Sequence, residues 1–149
     1  MVNSKNKGNR WERDAANILN EKFPDTWKRI ALSGALGTIL KEPLLEADLL
    51  GKYNHMDRKI AGEAKVGYGG LSMTIQKEWF DKIAQTAAKL YAIPVVLLKF
   101  SGARTGVRHV VAVDFEVWDE LMKEWEGLYN ELNSLYKKMD ELKNGNNKQ

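Results

Sequence analysis

A chain of 149 residues, 44% hydrophobic and 29% charged, is long enough for one domain with a real core and gives no sign of two. No apolar stretch approaches the roughly 18 residues that a membrane helix needs, and the basic start MVNSKNKGNRWER lacks the apolar core of a secretory signal. Zero cysteines exclude a disulfide scaffold, a thiol nucleophile and thiolate zinc sites, and they fit a cytoplasmic, reducing interior, for a cellular or a virus-encoded protein alike.

The net charge of +3 conceals an asymmetry: residues 1–110 carry 18 Lys and Arg against 11 Asp and Glu, whereas residues 111–149 carry 5 against 9. A basic body suits a polyanion such as nucleic acid, and an acidic tail would be repelled by phosphate, so the tail is expected to have another task.

Trp11, Ala15, Ile18 and Leu19 recur at helical spacing and predict a helix over 9–22, stopped soon after by Pro24. WKRIAL at 27–32 reads as a short strand, and Ser33, Gly34 and Gly37 open a loop. Two strands are expected over 44–53 and 59–66, joined by the polar turn Asn54, His55, Met56, Asp57. Beyond Gly67, Gly69 and Gly70, the spacing of Ile75, Trp79, Ile83, Ala87 and Leu90 predicts an amphipathic helix over 74–92. PVVLLKF at 94–100 is a continuous apolar run suited to a central strand covered on both faces, and a last strand is expected over 107–113. The expected fold is α/β, a central mixed β-sheet of about five strands flanked by helices, with a parallel crossover between 59–66 and 94–100.

From 114 onward Trp118, Leu121, Trp125, Leu128, Leu132, Leu135, Met139 and Leu142 follow a 3-4 alternation, with Asp114 placed to cap its start. A long amphipathic helix over 114–143 is expected, either self-associating as a coiled coil between two copies or packing on the core. The expected division is therefore a core over 1–113, this helix, and a disordered tail over 144–149.

The chemistry centres on RKIAGEAKV at 58–66. In a strand, residues two apart share a face about 7 Å apart, so Glu63 and Lys65 would project side by side from an apolar strand. The preceding strand sets Asp48 among leucines in LLEADLLG. An acid, one residue and a lysine also occur at Asp57-Arg58-Lys59 and Glu141-Leu142-Lys143, but those fall in a turn and in the acidic helix, where exposed charges need no special account. Burying a carboxylate or an ammonium without a partner costs several kcal/mol, on the order of what a metal and a substrate phosphate offset. Asp48 and Glu63 suit one or two Mg2+, with Lys65 orienting a nucleophile or stabilising the charge that develops on a phosphate, and Glu12 placed to complete the site from the first helix. An ordinary structural ion pair is the alternative. His55 and His109 are the only histidines, too little material for a His-based metal site or a Ser-His-Asp arrangement.

Lys7-Gly8 with Glu12-Arg13, Arg29 with Ser33-Gly34, Ala47-Asp48-Leu49, Glu63-Ala64-Lys65-Val66 and Pro94 to Phe100 together resemble the archaeal-type Holliday junction resolvases of the PD-(D/E)xK nuclease superfamily, over about residues 6–113. The resemblance implies a restriction-endonuclease-like fold and a homodimeric, Mg2+-dependent endonuclease, with Mn2+ able to substitute, that resolves four-way DNA junctions by paired nicks. Carried over position by position, it implies a catalytic set of Glu12, Asp48, Glu63 and Lys65, with Ser33 beside the scissile phosphate and Glu12, Asp48 and Glu63 as metal ligands. It also implies phosphate contacts from Arg13 and Arg29, and a polar position completing the core at Gln76 or Lys77. Lys5, Lys7, Arg10 and Lys28, with Arg104 and Arg108 in the last hairpin, are further candidate phosphate contacts. Ala47 stands where that pattern has a proline, and the long acidic helix goes beyond it. Two other functions stay open: a nuclease of the same superfamily acting on forks or ordinary duplex, and a non-catalytic DNA-binding protein.

Overall fold

A computed structural model describes residues 4–30, 45–54, 56–67, 72–102 and 105–146, with side chains from 6 to 143. The chain divides into two compact units, Met1–Asp114 and Phe115–Gln149.

The first unit is an α/β fold of the restriction-endonuclease-like kind. In chain order it runs α1 (Ser4–Lys22), β1 (Trp27–Arg29), β2 (Leu49–Gly51), β3 (Lys59–Val66), α2 (Lys77–Leu90), β4 (Ala92–Lys99) and β5 (His109–Ala112). The five strands form one sheet in the order β1-β2-β3-β4-β5. β3 and β4 are parallel, Lys59 opposite Ala92 through Val66 opposite Lys99, and the other neighbours are antiparallel. The mixed sheet and the parallel crossover expected from the sequence are thus both present.

The register sorts side chains between the faces. Ala61 of β3 and Val96 and Leu98 of β4 are buried in one cluster with Ile83 and Ala87 of α2. Leu97 points to the other face, where it lines a groove with Trp11 and Ala15 of α1 and the Trp11 indole Nε1 donates to its carbonyl at 3.1 Å. Burying a side chain such as Leu98 or Ile83, each 1% exposed, stabilises the fold by about 1.5–3 kcal/mol. β4, flanked on both edges and both faces, is therefore the continuous apolar run that the sequence showed.

Several boundaries differ from expectation, each for a local reason. α1 begins five residues before the predicted start, so that Lys7 reaches the carbonyl of Gly67 at 2.6 Å. β1 and β2 are three residues each, shorter than the apolar runs at 27–32 and 44–53. Ahead of β2 the chain is in a turn at Glu46, and Asp48 adds only flanking ladder bonds, its amide donating to Gly62 O at 3.0 Å and its carbonyl accepting from Ile30 at 2.9 Å. α2 starts at Lys77, so Ile75 lies outside it and is exposed. It stops where Tyr91 turns left-handed at φ 49 and donates its amide to Ala87 O and Ala88 O, a conformation costing a β-carbon residue about 1–2 kcal/mol. β4 begins at the next residue.

The second unit is α3 (Phe115–Asn146), a helix of 32 residues. It extends beyond the predicted end at 143, and residues 147–149 of the expected disordered tail lie outside the described ones. Its predicted seam is largely exposed, Trp125 at 68% and Leu142 at 69%. Among the described residues no helix is long and apolar enough to cross a membrane.

Candidate active site

The expected strand pair does assemble. Leu49 of β2 stands opposite Gly62 of β3, and the Asp48 amide donates to that same Gly62 carbonyl at 3.0 Å, which brings Asp48 to the part of β3 that carries Glu63. The Asp48 side chain is fixed there by the Ala64 amide, which donates to its Oδ2 at 2.9 Å. Strand alternation places Glu63 and Lys65 on the face of Ala61, the face that α2 covers.

Glu63 is 1% exposed, one of two buried polar or charged residues with Thr86 among the described residues. Its carboxylate accepts from Lys65 Nζ at 2.5 Å on Oε1 and from Lys82 Nζ at 3.0 and 2.9 Å on both oxygens. Lys65 lies 5.8 Å from the centroid of the Trp79 ring, an indole face that favours a cation. One desolvated carboxylate thus organises two ammonium groups, one from its own strand and one from the helix above. With either lysine removed the carboxylate would keep the other as its partner.

Lys82 is absent from the sequence-based set. The signal for it was present: it lies three residues after Trp79 and one before the buried Ile83, a lysine within the apolar stripe of α2. Read alone, a lysine at a stripe edge is usually a snorkelling side chain.

Glu12 is engaged by Arg29. It sits on α1, and its Oε2 accepts from Arg29 Nε at 2.8 Å, while Arg29 Nη2 donates to Asn9 Oδ1 at 3.3 Å. Arg29 is opposite Leu49, itself opposite Gly62, hence on the sheet face opposite to Glu63. The expected three-carboxylate metal set therefore does not form, and among the described residues no three or more acidic or histidine side chains gather into a cation site. Arg29, an expected phosphate contact, is held to α1 by Glu12 and Asn9.

The remaining candidates divide by position. Ser33 and Arg104 lie outside the described residues, as does the Lys5 side chain. Lys7 ties the first turns of α1 to the end of β3 just past Lys65; Arg10 and Arg13 are exposed on the same helix, and Lys28 and Arg108 are exposed elsewhere on the first unit. Gln76 is the N-cap of α2 and makes no side-chain capping bond. Lys77 is paired with Asp81 at 2.6 Å, which raises its pKa chiefly through that hydrogen bond. His109 stacks on Trp11 with ring centroids 5.0 Å apart, a packing role, and burial holds its pKa below the usual histidine value.

The donor chemistry of the pair suits a hard divalent cation. Glu63 on β3 and Asp48 just ahead of β2 offer carboxylate oxygens, and Mg2+ characteristically takes one or two carboxylates from the protein and completes its octahedron with water and substrate phosphate. That Glu63 already draws two ammonium groups shows how strongly this position favours positive charge.

A family model described as "Phage putative PDDEXK endonuclease" matches residues 3–147, nearly the whole chain. No curated protein matches it.

Proposed function

The chain belongs to this phage PDDEXK endonuclease family, and from that premise we propose that it is a Mg2+-dependent DNA endonuclease that resolves four-way junctions as a homodimer. The observation that carries the hydrolytic reading is the buried Glu63 carboxylate on the central strand, bonded by Lys65 and flanked by Ala64, whose amide holds the Asp48 carboxylate. Glu63 and Asp48 would hold the cation, which when bound supplies Lewis acidity and a nucleophile at neutral pH. Lys65 keeps an ammonium beside that point, where it neutralises charge building on the phosphate oxygens and aligns the group being attacked. The Ala64 amide holds the Asp48 carboxylate against the ladder, so one of the two acids is oriented before substrate arrives.

The choice of a branched substrate rests on the likeness of the motif series to junction resolvases and on the basic body, whose exposed Arg10, Arg13 and Lys28 offer phosphate contacts that position DNA without reading bases. Glu63→Gln and Asp48→Asn are each expected to lower cleavage by about a hundredfold or more, while junction binding by gel shift persists. Cleavage of a four-way junction, a splayed fork and linear duplex, compared side by side in Mg2+, tests the substrate. Equal rates on all three would reject junction selectivity, and full activity of Glu63→Gln would reject the site.

A further inference from the structure

Lys82 has no place in the acid-x-lysine pattern, yet its ammonium contacts both oxygens of Glu63, at 3.0 and 2.9 Å. Its side chain is 47% exposed, against 2% for Glu63 and 29% for Lys65. The nitrogen thus covers the carboxylate from the solvent side, on a flexible four-carbon stem rooted in the second turn of α2. A cation cannot take those two oxygens while Lys82 spans them.

Charge balance works in the same direction. Glu63 and Asp48 together with Lys65 and Lys82 sum to zero; a divalent cation added to all four would leave two positive charges around a carboxylate that is only 2% exposed, which disfavours it. Moving the Lys82 ammonium away relieves this, and DNA phosphate is the anion that would hold it once moved. We propose that Lys82 is a resident counter-ion of the active site: it holds Glu63 in the absence of a divalent cation and moves to a substrate phosphate when one binds, so that cation and DNA bind cooperatively. This rests on the nuclease reading in taking Glu63 as a cation ligand. By linkage, whatever factor DNA adds to cation affinity, the cation adds to DNA affinity.

Titration calorimetry of the full chain with Ca2+, with and without four-way junction DNA, tests this in wild type, Lys82→Met, Lys82→Arg and Glu63→Gln. Methionine keeps the length and packing of the stem, and circular dichroism checks the fold. Without DNA, Lys82→Met is expected to bind Ca2+ about fivefold more tightly than wild type, the scale of one partly exposed ion pair, and Lys82→Arg to stay near wild type. DNA should tighten Ca2+ binding in wild type and do so much less in Lys82→Met. A purely structural Lys82 would change stability and leave these affinities alone. Equal, Glu63-dependent Ca2+ binding in wild type and Lys82→Met overturns the inference alone. Loss of any Glu63 dependence in both overturns the metal site as well.

Discussion

At the level of single residues, Glu63 is the side chain whose position is hardest to explain without chemistry. A carboxylate at 1% exposure contributes little to net stability even when paired, because desolvation offsets most of the Coulombic gain. Leucine of similar volume would serve a sheet core better. The triplet itself was legible: of three acid-x-lysine sets, only Glu63 with Lys65 lay in a strand-like apolar run. What the sequence did not show was Lys82, since a lysine at helical spacing becomes an active-site neighbour only when the helix is laid over a particular strand. The basic residues of α1 are testable at the same scale. Arg13 is exposed, and Arg13→Ala is expected to weaken junction binding and to reduce the slope of log K against log salt by about 1. An unchanged slope removes it from the phosphate contacts.

Elements decide how the acids are presented. β2 has only three residues, and its last, Gly51, lies opposite Trp27. A β-carbon there would come within 2.7 to 2.9 Å of the indole atoms, so the absence of a side chain lets Trp27 lie across the strand. Its Nε1 meanwhile donates to the Tyr53 hydroxyl at 3.0 Å. Gly51→Ala is therefore expected to destabilise the fold by about 1–3 kcal/mol, read as a lower urea midpoint with an unchanged m-value. The turn before Asp48 is anchored to α2 in turn: Lys89 donates to both oxygens of Glu46 at 3.0 and 2.9 Å, and Thr86 Oγ1 donates at 3.2 Å. The Lys89 hydrogen bond, against an opposing contribution from burial, holds the Glu46 carboxyl below its ordinary 4.5. Because the folded value is the lower one, this contribution is fully present above about pH 4.5 and is lost as pH falls through the folded value. Urea unfolding should show a constant gap between wild type and Glu46→Gln above that pH and a narrowing gap below it. The strand pair was foreseen from its leucines, but not that 45–48 would lie ahead of the strand rather than in it, because an apolar run cannot distinguish a strand from a segment buried by other contacts.

At the scale of the whole molecule, the acidic α3 exposes large apolar residues along its length, Trp118, Trp125, Leu128 and Leu135 all at or above 50%, which is a patch that monomers rarely leave open. Homodimerisation through this seam is the arrangement we propose. Light scattering should give a dimer for the full chain and a monomer both for Trp125→Lys and for a chain ending at Asp114. A truncated chain that stays dimeric would place the interface elsewhere. Taken alone, the sequence determined the α/β class, the parallel crossover and the continuous core strand, because periodicity and burial of apolar side chains are local properties that survive any arrangement of the elements. Only the tertiary structure decided that Glu12 belongs to Arg29 on the opposite face and that Lys82 belongs to Glu63. Which charges meet depends on the sheet face each helix covers, and helical spacing is the same whichever face that is.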